Sequence, residues 1–199
     1  LQCAPVLPIV LLLPVAYLLG TFLSAHLVAR SSGVDILTAG SGNPGASNVS
    51  RVLGRKQGIV VFALDGAKGA VAAGVGYLVA GYAGGLALAI AAILGHIFPV
   101  TRRFQGGKGV ATASGAMLVL YPLPALGMVV PWLAMIKLTG KASLASLTLV
   151  VLFPTTLAVI GRPLGEVLTV VGVALLLLWR HLPNLRRLAA GTELDVRRG

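Results

Sequence analysis

With 199 residues, of which 57% are apolar and only 11% charged, and a mean hydropathy of +0.94, the chain is too apolar for a soluble domain. Its 16 Lys and Arg against 5 Asp and Glu sit at the ends of apolar runs rather than along one polar face, which argues against nucleic acid and for a membrane surface or an anionic substrate. A single cysteine, Cys3, excludes an internal disulfide, and three widely separated histidines give no metal-ligand spacing.

The first apolar run, residues 4–29, has no basic stretch ahead of it and reads as a retained span rather than a secretory signal. Further runs cover 58–80, 82–100, 109–136, 143–160 and 164–179. Arg30, Arg51, Arg55 and Lys56 follow the first run, and Arg102, Arg103 and Lys108 follow the third. Arg180, Arg186, Arg187, Arg197 and Arg198 follow the last, while 81–85 and 161–163 are poor in charge. The positive-inside rule puts the three basic clusters in the cytoplasm, with the N-terminus outside and the C-terminus inside. Parity then requires 109–136 to cross twice, and Tyr121, Pro122, Leu123 and Pro124 supply the break. That break also brings Lys137 and Lys141 to the inner face, and 109–121 is short enough to be a half-membrane segment. The expectation is an all-α polytopic transmembrane helical bundle of seven spans, a single membrane domain 1–199 with cytoplasmic loops 30–57, 101–109 and 180–199.

Each of those loops carries a polar motif. The first reads GSGNPGASNVSRVLGRK from 40 to 56, where glycines let backbone amides approach phosphate oxygens and Arg51 and Arg55 supply charge; a solvated turn would have the same composition. The second reads GHIFPVTRRFQGGKGVATASG from 95 to 115 and sets Lys108 between glycines at a helix start, an anion site in physics without the Walker spacing. His96 in this motif is either part of the site or an interfacial hydrogen-bonding residue. The third, RHLPNLRRLAAGTE from 180 to 193, puts His181 and Asn184 on one face if helix continues past Pro183, though its arginines could simply meet headgroups.

Within the apolar runs, Asp65 and Lys68 can pair at i, i+3, either as a functional pair or as a brace for the bundle or for Arg51. Gly66, Ala70 and Gly74 recur every fourth position, as at a close helix contact. Ser143 and Ser146 open a span on the inner face and either touch an anion or cap the helix, and Glu166 is expected at the outer face, exposed to solvent.

Three motifs in this order, GSGNPGASN at 40, GHIFPVTRRFQGGKGVAT at 95 and RHLPNLRRL with GTE at 180, resemble the bacterial acyl-phosphate:glycerol-3-phosphate acyltransferases over nearly the whole chain. The resemblance implies transfer of a fatty acyl group from acyl phosphate to the 1-hydroxyl of sn-glycerol 3-phosphate, giving lysophosphatidic acid and phosphate, in a bacterial inner membrane with the site on the cytoplasmic side. Carried onto this sequence, it makes Ser41, Asn43, Arg51, Lys108, His181 and Asn184 the polar shell, with Ser41, Lys108 and His181 closest to catalysis. Gly40, Gly42, Gly45, Gly106, Gly107 and Gly109 would give backbone contacts, Asn48 and Ser146 would join the binding set, and Asp65, Lys68, His96, Arg180 and Glu193 would support it. Ser47 stands where the family pattern has threonine and Leu185 where it has isoleucine, both conservative. No Cys-His or Ser-His-Asp constellation is visible, so either His181 or an acyl-phosphate oxygen takes the hydroxyl proton. The expected partners are glycerol 3-phosphate, acyl phosphate and membrane lipids, acting on a monomer with no cofactor, metal or nucleic acid. Without the resemblance, a transporter or channel for a phosphate-bearing anion would fit the charge pattern equally well.

Overall fold

The computed structural model describes residues 6–197, so Cys3, Arg198 and the start of the first apolar run lie outside it. Among the described residues the architecture is all-helical. In chain order the helices are α1 (Val6–Thr21), α2 (Ser24–Ser31), α3 (Ala46–Leu53), α4 (Arg55–Ile97), α5 (Val110–Leu120), α6 (Pro122–Gly127), α7 (Val129–Thr139), α8 (Ala142–Val159), α9 (Leu164–Arg180) and α10 (Leu182–Ala189). The segments Leu7–Ser31, Arg55–Arg102, Pro122–Thr139 and Ala142–Val159 are each long and apolar enough to cross a bilayer.

α4 is 43 residues long, about twice what one crossing needs, and it folds back on itself at Ala80 and Gly81, whose backbone angles are not helical. Gly81 sits at φ 59°, a conformation a Cβ would disfavour. The two arms of the resulting hairpin touch so closely that a Cβ at Gly76 would lie 2.2 Å from the carbonyl oxygen of Gly84. α5 lies equally close along the first arm, where a Cβ at Gly69 would meet the Thr112 carbonyl at 1.9 Å and one at Gly115 the Gly66 carbonyl at 1.9 Å. The small-residue stripe is therefore a packing contact, although Gly69 rather than Ala70 sits at its tightest point.

The break between α5 and α6 falls at Tyr121, as the prolines predict. A core of Ala73, Leu86, Ala89, Ala116, Leu120, Tyr121, Phe153 and Leu157 closes the end of the bundle away from the motifs. Many large apolar side chains, among them Leu7, Leu78, Leu123, Val130 and Val159, point outward with most of their surface exposed, and α7 has no buried residue at all. Such a surface is suited to hydrocarbon rather than water.

Candidate active site

Chain direction fixes which helix ends meet. α3 and the starts of α4, α5 and α8 gather with the ends of α2, α7 and α9 at one end of the bundle, and the three motif loops lie there together. In the first loop, Gly40 and Gly42 take positive φ and turn the chain around the Asn48 side chain. Asn48 is buried and fully engaged, since its Oδ1 accepts the Ser41 N–H at 2.7 Å and its Nδ2 donates to the carbonyls of Ala39 at 2.9 Å and Ile36 at 3.3 Å. These bonds shape the loop, and Asn48 also stands in the wall of the cavity beside it. The loop so held presents Ser41, Asn43, Gly45 and Arg51 to a cavity of about 90 Å³, together with Lys108, Gly109, Ser146, His181 and Asn184.

The GGKG segment divides its labour differently from the expectation. Gly107 donates its N–H to the His96 carbonyl at 3.1 Å, and Arg180 Nη2 donates to the carbonyls of Gly106 at 3.1 Å and Gly107 at 3.3 Å. These bonds hold the loop and engage the Gly107 amide. Glycine is needed at 107 because a Cβ would lie 2.2 Å from the His96 ring. Gly109, at φ 84°, is the residue before α5, and Val110 and Ala111, which carry the helix's first free amides, line the cavity. Gly42 and Gly106 instead line a wider vestibule of about 590 Å³ that shares Ser41, Asn43, Lys108 and Asn184 with the inner cavity.

Lys108 donates to the Asn184 Oδ1 and has no carboxylate within ion-pair distance among the described residues. Burial lowers its ammonium to about 8 against the opposing pull of Glu193, and Arg187, Arg51 and Arg180 add to the depression. Asn184 is oriented from behind by Glu193, which accepts from Asn184 Nδ2 at 2.7 Å, Ser143 Oγ at 2.8 Å and Arg187 Nε at 2.8 Å. Burial alone would raise that carboxyl, but these three donors outweigh it and hold Glu193 below its ordinary value. Ser143 is thus a ligand of Glu193 and not a helix cap, and Ser146 bonds back to the Ala142 carbonyl while lining the cavity.

The helix breaks at His181, before Pro183, and resumes at Leu182 to run past it. α9 stops at Arg180, the chain bends by 54°, and Pro183 falls at the start of α10, where its missing N–H costs nothing. His181 and Asn184 still converge on the cavity, both buried. His181 Nδ1 lies 2.7 Å from the Leu177 carbonyl and must donate to it, which leaves the Nε2 lone pair free. Burial, then the Lys108 charge, lowers His181 to about 4.

After α10 the chain returns across the site. Arg51 donates to the carbonyls of Leu194 at 3.3 Å and Asp195 at 3.4 Å, Lys141 donates to the Glu193 carbonyl, and the Val196 N–H bonds to Gly140 at 2.8 Å. Asp65 and Lys68 pair at 3.0 Å but do not reach Arg51. Lys68 donates to the Gly20 and Phe22 carbonyls freed at the α1–α2 break and sits 2.8 Å from His96 Nδ1, while Asp65 accepts from Ser24 at 3.0 Å. The pair braces the bundle beneath the loops, and His96 is a buried member of that brace.

Below the polar cavity lies an apolar one of about 240 Å³ between α5, α7, α8 and α9, lined by residues such as Ala113, Met117, Leu149, Phe153 and Val173. Phe62, Val110, Trp132 and Ser146 line both cavities, so the two adjoin. The sequence reading missed Phe62 and Trp132, whose rings meet at 6.2 Å at this boundary. The only local signal was their aromatic bulk inside apolar runs.

Residues 10–191 match the family described as glycerol-3-phosphate acyltransferase. Among curated relatives, a glycerol-3-phosphate acyltransferase of Thermus thermophilus is 47% identical over 185 residues, covering 89% of this chain and 90% of that one. One of Aquifex aeolicus is 38% identical over 185 residues, covering 89% and 94%. Two crystal structures of PlsY (YgiH), described as an integral membrane glycerol 3-phosphate acyltransferase, superpose with TM-scores of 0.91 for the glycerol 3-phosphate form and 0.88 for the lysophosphatidic acid form. Both are 36% identical and cover 94% of this chain and 95% of theirs.

Proposed function

This chain belongs to the glycerol-3-phosphate acyltransferase family, and from that premise we propose how its loops carry out the reaction. It is an integral membrane enzyme that acylates glycerol 3-phosphate, a step of phospholipid synthesis. The observation that carries the mechanism is the succession of adjoining cavities, a vestibule rich in arginine, the Lys108 cavity and an apolar cavity. A water-soluble phosphate ester and a lipid tail can be brought together by such a succession.

The donor is acyl phosphate, with its tail between α5 and α8 and its phosphate at Ser41, Asn43 and the α5 amides. Glycerol 3-phosphate enters through the vestibule and sets its phosphate against Lys108 and Arg51, a point charge and a fork. Arg51 is available because its present acceptors are two backbone carbonyls at 3.3 and 3.4 Å, which a phosphate dianion outcompetes. The 1-hydroxyl oxygen attacks the acyl carbonyl carbon, the carbon–oxygen bond to phosphorus breaks, and the phosphate leaves with the electron pair. The hydroxyl proton passes to a departing phosphate oxygen, so lysophosphatidic acid and inorganic phosphate form without an external base. His181, held near 4, is too weak a base for this proton, and its free Nε2 instead accepts a hydrogen bond from the hydroxyl and orients it. Lys108 and the loop amides stabilise the oxyanion that develops.

The enzyme is a single membrane domain in the bacterial inner membrane, acting as a monomer, with seven crossings, its motif loops in the cytoplasm and its C-terminus inside. The basic residues clustered at the motif end support that orientation. In proteoliposomes, palmitoyl phosphate should release phosphate only when glycerol 3-phosphate is present, one per lysophosphatidic acid formed. An equal rate with a thioester donor would refute the choice of acyl phosphate. Flux of glycerol 3-phosphate without acyl transfer would support a transporter instead.

A further inference from the structure

A further cavity opens on the flank of the bundle, and Leu37 in the vestibule wall is the one lining residue it shares with the reaction cavities among the described residues. It measures about 960 Å³, lies where the α1–α2 break faces the turn Val100–Arg102, and shares no lining residue with the Lys108 cavity. Its walls are fixed. Tyr17 Oη donates to the Phe98 carbonyl at 2.7 Å and accepts the Val100 N–H at 3.1 Å, which ties the turn to α1. Lys68 holds the two carbonyls at the break, and the N–H groups of Gly33 and Val34 close the end of α2 behind Arg30.

The groups facing this cavity fall into two levels. At the motif end, Arg30 and Arg102 line it, and neither guanidinium has a hydrogen-bond or ion-pair partner among the described residues. His26 also lines the cavity, but its Nε2 is itself buried and does not face the open space. Among the described residues Asp35 is the one carboxylate lining the cavity, and its Oδ1 already accepts the Leu37 N–H at 3.0 Å, so two guanidinium groups leave an excess of positive charge. Towards the middle of the bundle the lining becomes apolar, with Leu18 and Phe22 each more than half exposed.

We propose that this cavity binds the phosphate headgroup of an anionic membrane lipid, with Arg30 and Arg102 on the phosphate oxygens and the tails along Leu18 and Phe22. Guanidinium forks match phosphate geometry. The apolar lower wall selects a lipid over free phosphate, because a soluble anion would leave that wall uncovered. The site is independent of the acyl-transfer reading, since its residues take no part in the reaction.

The test uses the purified full-length protein in detergent, stripped of lipid, with phosphatidylglycerol, phosphatidylcholine or inorganic phosphate added. Native mass spectrometry counts the bound lipid and thermal unfolding reads its effect. Wild-type protein should retain phosphatidylglycerol with at least tenfold preference over phosphatidylcholine and show a saturable rise in Tm. The double variant Arg30→Gln, Arg102→Gln should lose at least tenfold in that affinity while its kcat/KM for acyl transfer stays within twofold. If the double variant does not fold, Arg102→Gln alone carries the test, because that residue is exposed on a short turn. Equal retention of phosphatidylcholine, undiminished binding by the variants, or an equal shift from inorganic phosphate at the same concentration would each overturn the proposal.

Discussion

The two ends of the bundle both contain buried or half-buried charge, and they treat it in opposite ways. At the end away from the motifs, Arg162 forks onto Glu166 at 2.8 Å and 3.0 Å, lies 4.2 Å over the Tyr82 ring, and Tyr121 donates to the same carboxylate at 2.8 Å. Glu166 is therefore half-buried and matched, not the solvated residue its position suggested. At the motif end, Glu193 is matched to Arg187, but Lys108 faces only an amide oxygen and Arg51 only backbone carbonyls. Closed networks hold a structure together, whereas cations kept from any carboxylate in a cavity remain available for an anion.

Removing the unmatched charge gives the largest effect. Lys108→Met should lower kcat/KM by about 10²- to 10³-fold, the range for losing one donor to a developing oxyanion. Its Tm should hardly move, since the lost partner is a neutral amide. A variant that loses stability and activity together would show Lys108 to be a structural group, and the contrast between the ends would fail.

α5 links the two ends, with Gly109 before it and Tyr121 after it, a distance of about 18 Å. Its contact with α4 allows no side chain at Gly69, so Gly69→Ala should destabilise the protein by about 3 kcal/mol through forced separation of the helices. Chemical unfolding in detergent would measure it. A neutral result would mean that α5 moves freely along α4.

Which features were legible in the sequence follows from their range. The long apolar helices, the Tyr121 break and the meeting of three basic loops depend on local patterns of hydropathy and proline and are found where expected, whereas α3 falls inside an expected loop and the first run breaks between α1 and α2. Asn48 could not be assigned from its motif, because a buried amide satisfied by Ser41, Ala39 and Ile36 looks the same in sequence as one reserved for a ligand. The matching of Ser143 to Glu193 crosses 50 residues, and that of Tyr121 to Glu166 crosses 45, so no spacing rule reveals either. The bend at His181 was missed for a different reason: Pro183 fits either a kinked helix or the first turn of a new one.

A smaller effect should appear in the pH profile. Lys108 is charged below about 8 and neutral above, and kcat/KM reports the free enzyme, so activity should fall about tenfold per unit as pH rises past that value. The substrate phosphate gains its second charge above about 6, which sets the acid limb. Lys108→Arg should move the alkaline limb upward even if the maximum rate drops, because guanidinium stays protonated throughout. An unmoved limb would assign the titration to another group.

The smallest expected effect tests the matched end. Arg162→Ala removes the fork and the ring contact, but the side chain is 27% exposed, so solvent already screens much of the attraction and the loss should be about 1 kcal/mol. Glu166 keeps its bond from Tyr121, which limits any further cost. The expected signature is a Tm lowered by a few degrees with kcat/KM unchanged. A fall in kcat/KM of tenfold or more would mean that strain at Tyr121 travels along α5 to Lys108. The two ends would then be coupled through one short helix, and the division between a closed structural network and an open reactive one would hold for charge but not for motion.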